Sequence, residues 1–234
     1  MNFFGHAAVA RWRSSDPAFV LGAMLPDFCA MAGARLAAVT EPAIAEGVRT
    51  HHETDSVFHC APTFVAHCAA GVAALSAAGV RRGSARAAAH VGTELLLDGF
   101  VVREDGLSDL YRAALRVAGL DAHGPELRFA SAAEAGRFHQ LIRRLVSWGV
   151  PPGLGAPERV AERLVAALAR RPRLALTPAE DRAVGVWLER AWPTVGSNLD
   201  ELVMEVRQGL EARSWGGPLS SDGGMETAAH RPVS

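Results

Sequence analysis

At 234 residues the chain has length for one large domain or two small ones, and its formal net charge of -1 supplies no overall field to draw it to nucleic acid. A hydrophobic content of 49% is enough for a sizeable core. The longest apolar run, Phe64 to Val80, is interrupted by His67 and falls short of the ~20 residues of a membrane span.

Helix signals follow one another along the chain. Spacing and capping predict helices near 2–13, 17–32, 42–60, 62–79, 83–104, 107–118, 131–149, 157–171, 178–192 and 194–214. Asp16-Pro17, Glu41-Pro42, Ala61-Pro62 and Ala156-Pro157 put proline where helices start. Ser131 to Glu134 and Thr177 to Glu180 read as capping boxes. No run of alternating β-branched and polar residues predicts a strand. Loops at 119–130 and 149–156 are too short to require a domain boundary. The expected fold class is all-α, a single multi-helix domain over 1–215 with about nine to ten helices. A tail at 216–234 has little to bury and is expected to be disordered. Cys29, Cys60 and Cys68 leave an odd thiol and form no CxxC. The opening MNFFGHAAVARWR lacks a basic segment before an apolar one, so a cytoplasmic protein with reduced thiols is expected. All 24 basic residues are arginine, which suits GC-rich coding as well as phosphate contacts.

Polar residues in apolar helices then stand out. His90, Glu94 and Asp98 share one face of the 83–104 helix, which is otherwise almost wholly apolar. A buried carboxylate needs a proton, a cationic side chain or a metal. The 42–60 helix repeats the interval with His51, Asp55 and His59. His6 sits in the apolar N-terminal helix, and Asp27 follows Pro26, which is expected to break its helix and turn the acid into a cleft. Imidazoles and carboxylates converging from several helices are the ligands of a divalent metal. Other readings stand beside this one. His6 and His67 suit satisfied core histidines, Glu94 and Asp98 can pair with Arg81, Arg82 or Arg86, and His59-Cys60 with His67-Cys68 can form a structural zinc site.

With these residues in place, the chain resembles the acyl carrier protein phosphodiesterase family, helical relatives of the HD-type metal phosphohydrolases. The family's opening MNFLAH appears as MNFFGH, ending at His6, and its GNLLxDF as GAMLPDF, ending at Asp27-Phe28. Its GIxxHRxID appears as GVRTHHETD, matching Gly47, Val48, His51 and Asp55, with His52 in place of Arg. Its DxxxDHFL aligns with ELLLDGFV, so that Glu94 and Asp98 match the acids and Gly99 replaces the histidine. The family's RRPRL is Arg170 to Leu174 here. The elements keep their order over residues 1 to about 210.

The resemblance implies a metal-dependent phosphoric ester hydrolase that removes 4'-phosphopantetheine from acyl carrier protein, with manganese, or with iron or zinc. Asp27, His51 and Asp98, joined by His6, His90 and Glu94, are the expected metal ligands. Asp55 and His52 are the expected catalytic residues that orient or deprotonate a water. Arg170, Arg171 and Arg173 are the expected contacts to phosphate or to an acidic carrier protein, or else a solvated helix end. Two rival functions are a hydrolase of another phosphorylated substrate and a non-catalytic helical binding protein that kept the cleft. No nucleic acid and no membrane partner is expected.

Overall fold

The sequence periodicities become ten helices among the described residues. The computed structural model describes residues 1–118, 127–151 and 153–214; the expected tail at 216–234 and most of the 119–130 loop lie outside them. In chain order the helices are α1 (Phe3–Ala10), α2 (Pro17–Ala32), α3 (Pro42–Phe58), α4 (Pro62–Ala77), α5 (Arg82–Val101), α6 (Leu107–Val117), α7 (Ala132–Trp148), α8 (Pro157–Ala169), α9 (Pro178–Ser197) and α10 (Leu199–Ser214). Five of them begin on proline, where the missing N–H costs nothing. Asp16 caps α2 by accepting from the Ala18 N–H at 2.9 Å. None of these helices alone is long and apolar enough to cross a membrane.

Four local expectations change. α2 does not break at Pro26 but runs through it to Ala32. The proline forfeits one backbone bond, and the burial of Phe19 to Leu25 before it and of Phe28 and Cys29 after it offsets that loss. α9 likewise continues through Pro193. Two short strands do form, β1 (Leu36–Val39) and β2 (Leu127–Phe129), paired antiparallel. They are too short to show alternation in the sequence. The Thr177 capping box is complete, but that at Ser131 is only half made. Ser131 accepts from the Glu134 N–H, while the Glu134 carboxylate turns to Arg35, accepting from its backbone N–H at 3.1 Å.

The core divides into two apolar clusters. One gathers around α2 with α6 and α7, including Phe28, Tyr111 and Phe138. The other gathers around α5 with α4, α8, α9 and α10, including Phe58, Phe64 and Trp187. α1, α3 and α5 contribute side chains to both clusters, and with α2 they carry the polar residues singled out above. The α2–α3 crossing positions them. A side chain at Gly22 would strike the Ile44 carbonyl, and one at Gly47 would strike the Phe19 carbonyl. Only glycine permits this approach, which sets Asp27 and His51 into facing turns.

Candidate metal centre

Among the described residues, two separate groups of metal-capable side chains lie on these helices. In the first, one donor atom from each of His6 on α1, Asp27 on α2 and His51 on α3 falls within 4.8 Å of the others. In the second, the same holds for His59 at the end of α3 with His90 and Glu94 of α5. Asp55 stands between them. Its Oδ1 is 3.1 Å from His6 Nε2 and its Oδ2 is 3.6 Å from His51 Nε2. The Met1 ammonium donates to Asp55 Oδ1 at 2.8 Å and lies 3.1 Å from Glu94 Oε1 and 3.2 Å from His59 Nε2.

The two histidines of the first group are buried, Asp27 is partly so, and the donor atoms are poorly satisfied. The His6 and His51 rings stack with centroids 3.8 Å apart. The Ala23 carbonyl lies 2.8 Å from His51 Nδ1 and can only accept, so that nitrogen carries the proton and Nε2 faces the group with a free lone pair. Neither ring nitrogen of His6 makes a well-directed hydrogen bond, and Asp27 Oδ2 is likewise buried without a partner. Burial drives the Asp27 carboxyl up to about 8. Burial, reinforced by the neighbouring His6 ring, drives His51 down to about 3, and burial lowers His6 as well. Both imidazoles are therefore neutral at pH 7, as metal ligation requires. Asp55 behaves differently. Burial acts to raise it, but the His6 contact and the ammonium hold it well below the usual carboxylate range.

In the second group Glu94 is the hub. Its Oε1 lies 3.1 Å from His59 Nε2 and 3.2 Å from His90 Nε2. Burial again works to raise the acid, and the two histidines overcome it and hold Glu94 well below its ordinary value. His90 is pushed up to about 9, first by its hydrogen bond with Cys68 and then by Glu94. The rings are walled by aromatics, with His59 and His90 stacked at 5.0 Å and Phe64 edge-on to His90 at 5.2 Å.

The three polar residues of α5 thus divide. His90 and Glu94 occupy a partly open stripe, while Asp98 is 1% exposed and belongs to neither group. Its Oδ1 accepts from the Gly5 N–H at 3.0 Å, and the backbone at Phe4 also bonds it. Asp98 thereby satisfies free N–H groups in the first turn of α1. Its second oxygen is buried and unpaired, and burial raises the acid to about 7. Gly99 faces the Leu154 carbonyl and the Trp192 ring, leaving no room there for a side chain.

Of the other expected site residues, His52 is exposed and meets His51 edge to face at 5.2 Å. Arg170 is exposed at the end of α8 and donates to the Met31 carbonyl at 2.7 Å, one turn past Asp27 on α2. Arg171 and Arg173 are exposed in the turn that follows. Arg81 pairs with Glu180 at 2.8 Å, not with Glu94 or Asp98. The three cysteines are free. Two residues escaped the sequence reading. His59 is signalled by its four-residue spacing from Asp55, but in sequence it reads only with Cys60 toward a structural zinc site, not with His90 and Glu94. Arg163, half-buried on α8 and close enough for its charge to act on Asp98 and Tyr111, looks in sequence like any other arginine of an amphipathic helix. No family model matches the chain, nor does any curated protein or solved structure.

Proposed function

We propose that the chain is a metal-dependent hydrolase of phosphoric esters whose ion is held by His6, Asp27 and His51. The observation that carries this reading is the orientation of His51. Its Nδ1 is committed to the Ala23 carbonyl, so the bare Nε2 faces a second neutral imidazole and a buried, unpartnered carboxylate. Two imidazoles and a carboxylate suit zinc, iron or manganese, and the orphaned atoms lose their desolvation penalty when they ligate. It further supports the reading that His6, Asp27, His51 and Asp55, picked out by motif from three stretches of chain, meet in space.

When bound, such an ion polarises a phosphoryl oxygen and lowers the pKa of a water. The chain's own residues supply the rest. Asp55 is ionised at neutral pH and, at 31% side-chain exposure, can accept a hydrogen bond or proton from a water at the edge of the group. His52 stands exposed beside His51 and can orient an entering substrate. Arg170 holds a guanidinium near the end of α2, where it can meet a phosphate. The substrate implied by the motif resemblance is the phosphopantetheine arm of acyl carrier protein.

The test is metal analysis of protein purified without chelator, followed by assay on holo acyl carrier protein and on simple phosphomonoesters and phosphodiesters. Bound ion with turnover that Asp27→Asn and His51→Gln both abolish supports the reading. Turnover only on other phosphoric esters moves the substrate and keeps the chemistry. A protein that neither retains a divalent ion nor hydrolyses any of these esters is the helical binding protein instead.

A further inference from the structure

We infer that His59, His90 and Glu94 form a second divalent-cation site, separate from the buried one and open to solvent. Its donor atoms lie within 4.8 Å of one another, and two imidazoles with one carboxylate form a nitrogen-rich set that favours a first-row ion such as zinc or cobalt over magnesium. Glu94 is 13% exposed, against 34% for His59 and 44% for His90. The carboxylate thus lies at the floor and the imidazoles at the rim, which leaves coordination positions free for water or an anionic ligand.

The rings do not depend on the ion for their placement. Phe58 and Phe64 pack against His59 with centroids 5.3 and 5.5 Å away, and Phe64 also braces His90. Cys68, one turn beyond Phe64 on α4, hydrogen-bonds with His90 from outside the ligand set. A partition keeps this site distinct from the first. Asp55 and the Met1 ammonium lie between the two groups, with the ammonium touching Asp55 on one side and Glu94 on the other. An ion entering here displaces the Met1 ammonium from Glu94 and His59 and releases the proton that His90 holds at neutral pH, so its binding strengthens as pH rises. The inference does not depend on the hydrolase reading, because it concerns other side chains.

The experiment is a count of ions by mass spectrometry on chelator-stripped full-length chain re-equilibrated with Co²⁺ and desalted, with d–d absorbance recorded in parallel. The wild type is expected to hold about two ions per chain. Glu94→Gln and His90→Gln should each remove one and leave the other, and Asp27→Asn should do the reverse, with different absorbance bands lost in the two cases. Both α5 changes are near-isosteric at partly open positions, and circular dichroism checks the fold. If the wild type holds one ion that Glu94→Gln removes and Asp27→Asn spares, this site stands and the buried one falls. A single ion lost in all three variants means one shared centre and overturns the inference. An ion count unchanged by Glu94→Gln and His90→Gln also overturns it.

Discussion

His6 and His51 stack ring on ring, centroids 3.8 Å apart, although each comes from a helix that must otherwise bury apolar side chains. Two imidazolium ions at that distance would repel in a site that cannot solvate them. Both rings are accordingly held neutral, His51 down to about 3. In a ¹⁵N-resolved pH titration of metal-free protein, His51 is expected to show the Nδ1–H tautomer and to stay neutral at least to about pH 5. A ring that titrates near its ordinary value, or carries its proton on Nε2, would remove the bare lone pair on which the metal reading rests.

Asp27 links the same site to stability. Its carboxyl moves from 3.8 to about 8, chiefly through burial. Between those values the folded state binds more protons than the unfolded state, so stability of the metal-free protein falls as pH rises through that window. Asp27 is partly exposed, so solvent screening reduces the penalty at pH 8 to on the order of 1–2 kcal/mol. Asp27→Asn should therefore raise the thermal midpoint of metal-free protein at pH 8, leave it nearly unchanged at pH 4, and remove only the part of the divalent-ion stabilisation that comes from the buried site. Equal shifts at both pH values would mean that the carboxyl does not titrate in this window.

The α2–α3 crossing should be equally sensitive. A methyl at position 47 would strike the Phe19 carbonyl, which is backbone and cannot swing aside. Gly47→Ala is expected to cost about 1–3 kcal/mol in urea unfolding, because the helices must separate. The same separation pulls Asp27 from His51, so ion affinity should fall at least tenfold even where the variant stays folded. Gly185→Ala is the control. Gly185 is helical and has open space around it, so alanine there should be neutral or slightly stabilising.

Much of this fold was legible because helix starts are chemically explicit. Proline in the first turn and the Thr177 box fall where the helices begin. What escaped depended on neighbours. Pro26 carries the same signal as a helix breaker, and only the burial of residues on both sides keeps α2 intact. Glu134 satisfies the local pattern of a capping box, yet Arg35, distant in sequence, takes its carboxylate. The spacing of His90, Glu94 and Asp98 correctly gave one side of a helix. It could not tell that α1 begins against the last of the three while His59 reaches the first two. Periodicity gives direction around one helix and says nothing of what waits on the other side.

Asp98 shows that difference most sharply, and its role can be measured. If the carboxylate serves the first turn of α1, an acceptor at Oδ1 matters and a negative charge does not. Asp98→Asn keeps an oxygen for the Gly5 N–H and removes an acid that burial already raises to about 7, so it should fold with near wild-type stability and ion content. Asp98→Ala leaves buried N–H groups without a partner and should cost about 1–3 kcal/mol, with faster amide exchange at Phe4 and Gly5. Ion affinity would then weaken only as far as α1, which carries His6, loosens. Were Asp98 a metal ligand instead, the asparagine variant would keep its fold and amide protection and still lose the ion. Stability, amide exchange and ion count on this pair of variants therefore separate a helix-capping acid from a coordinating one.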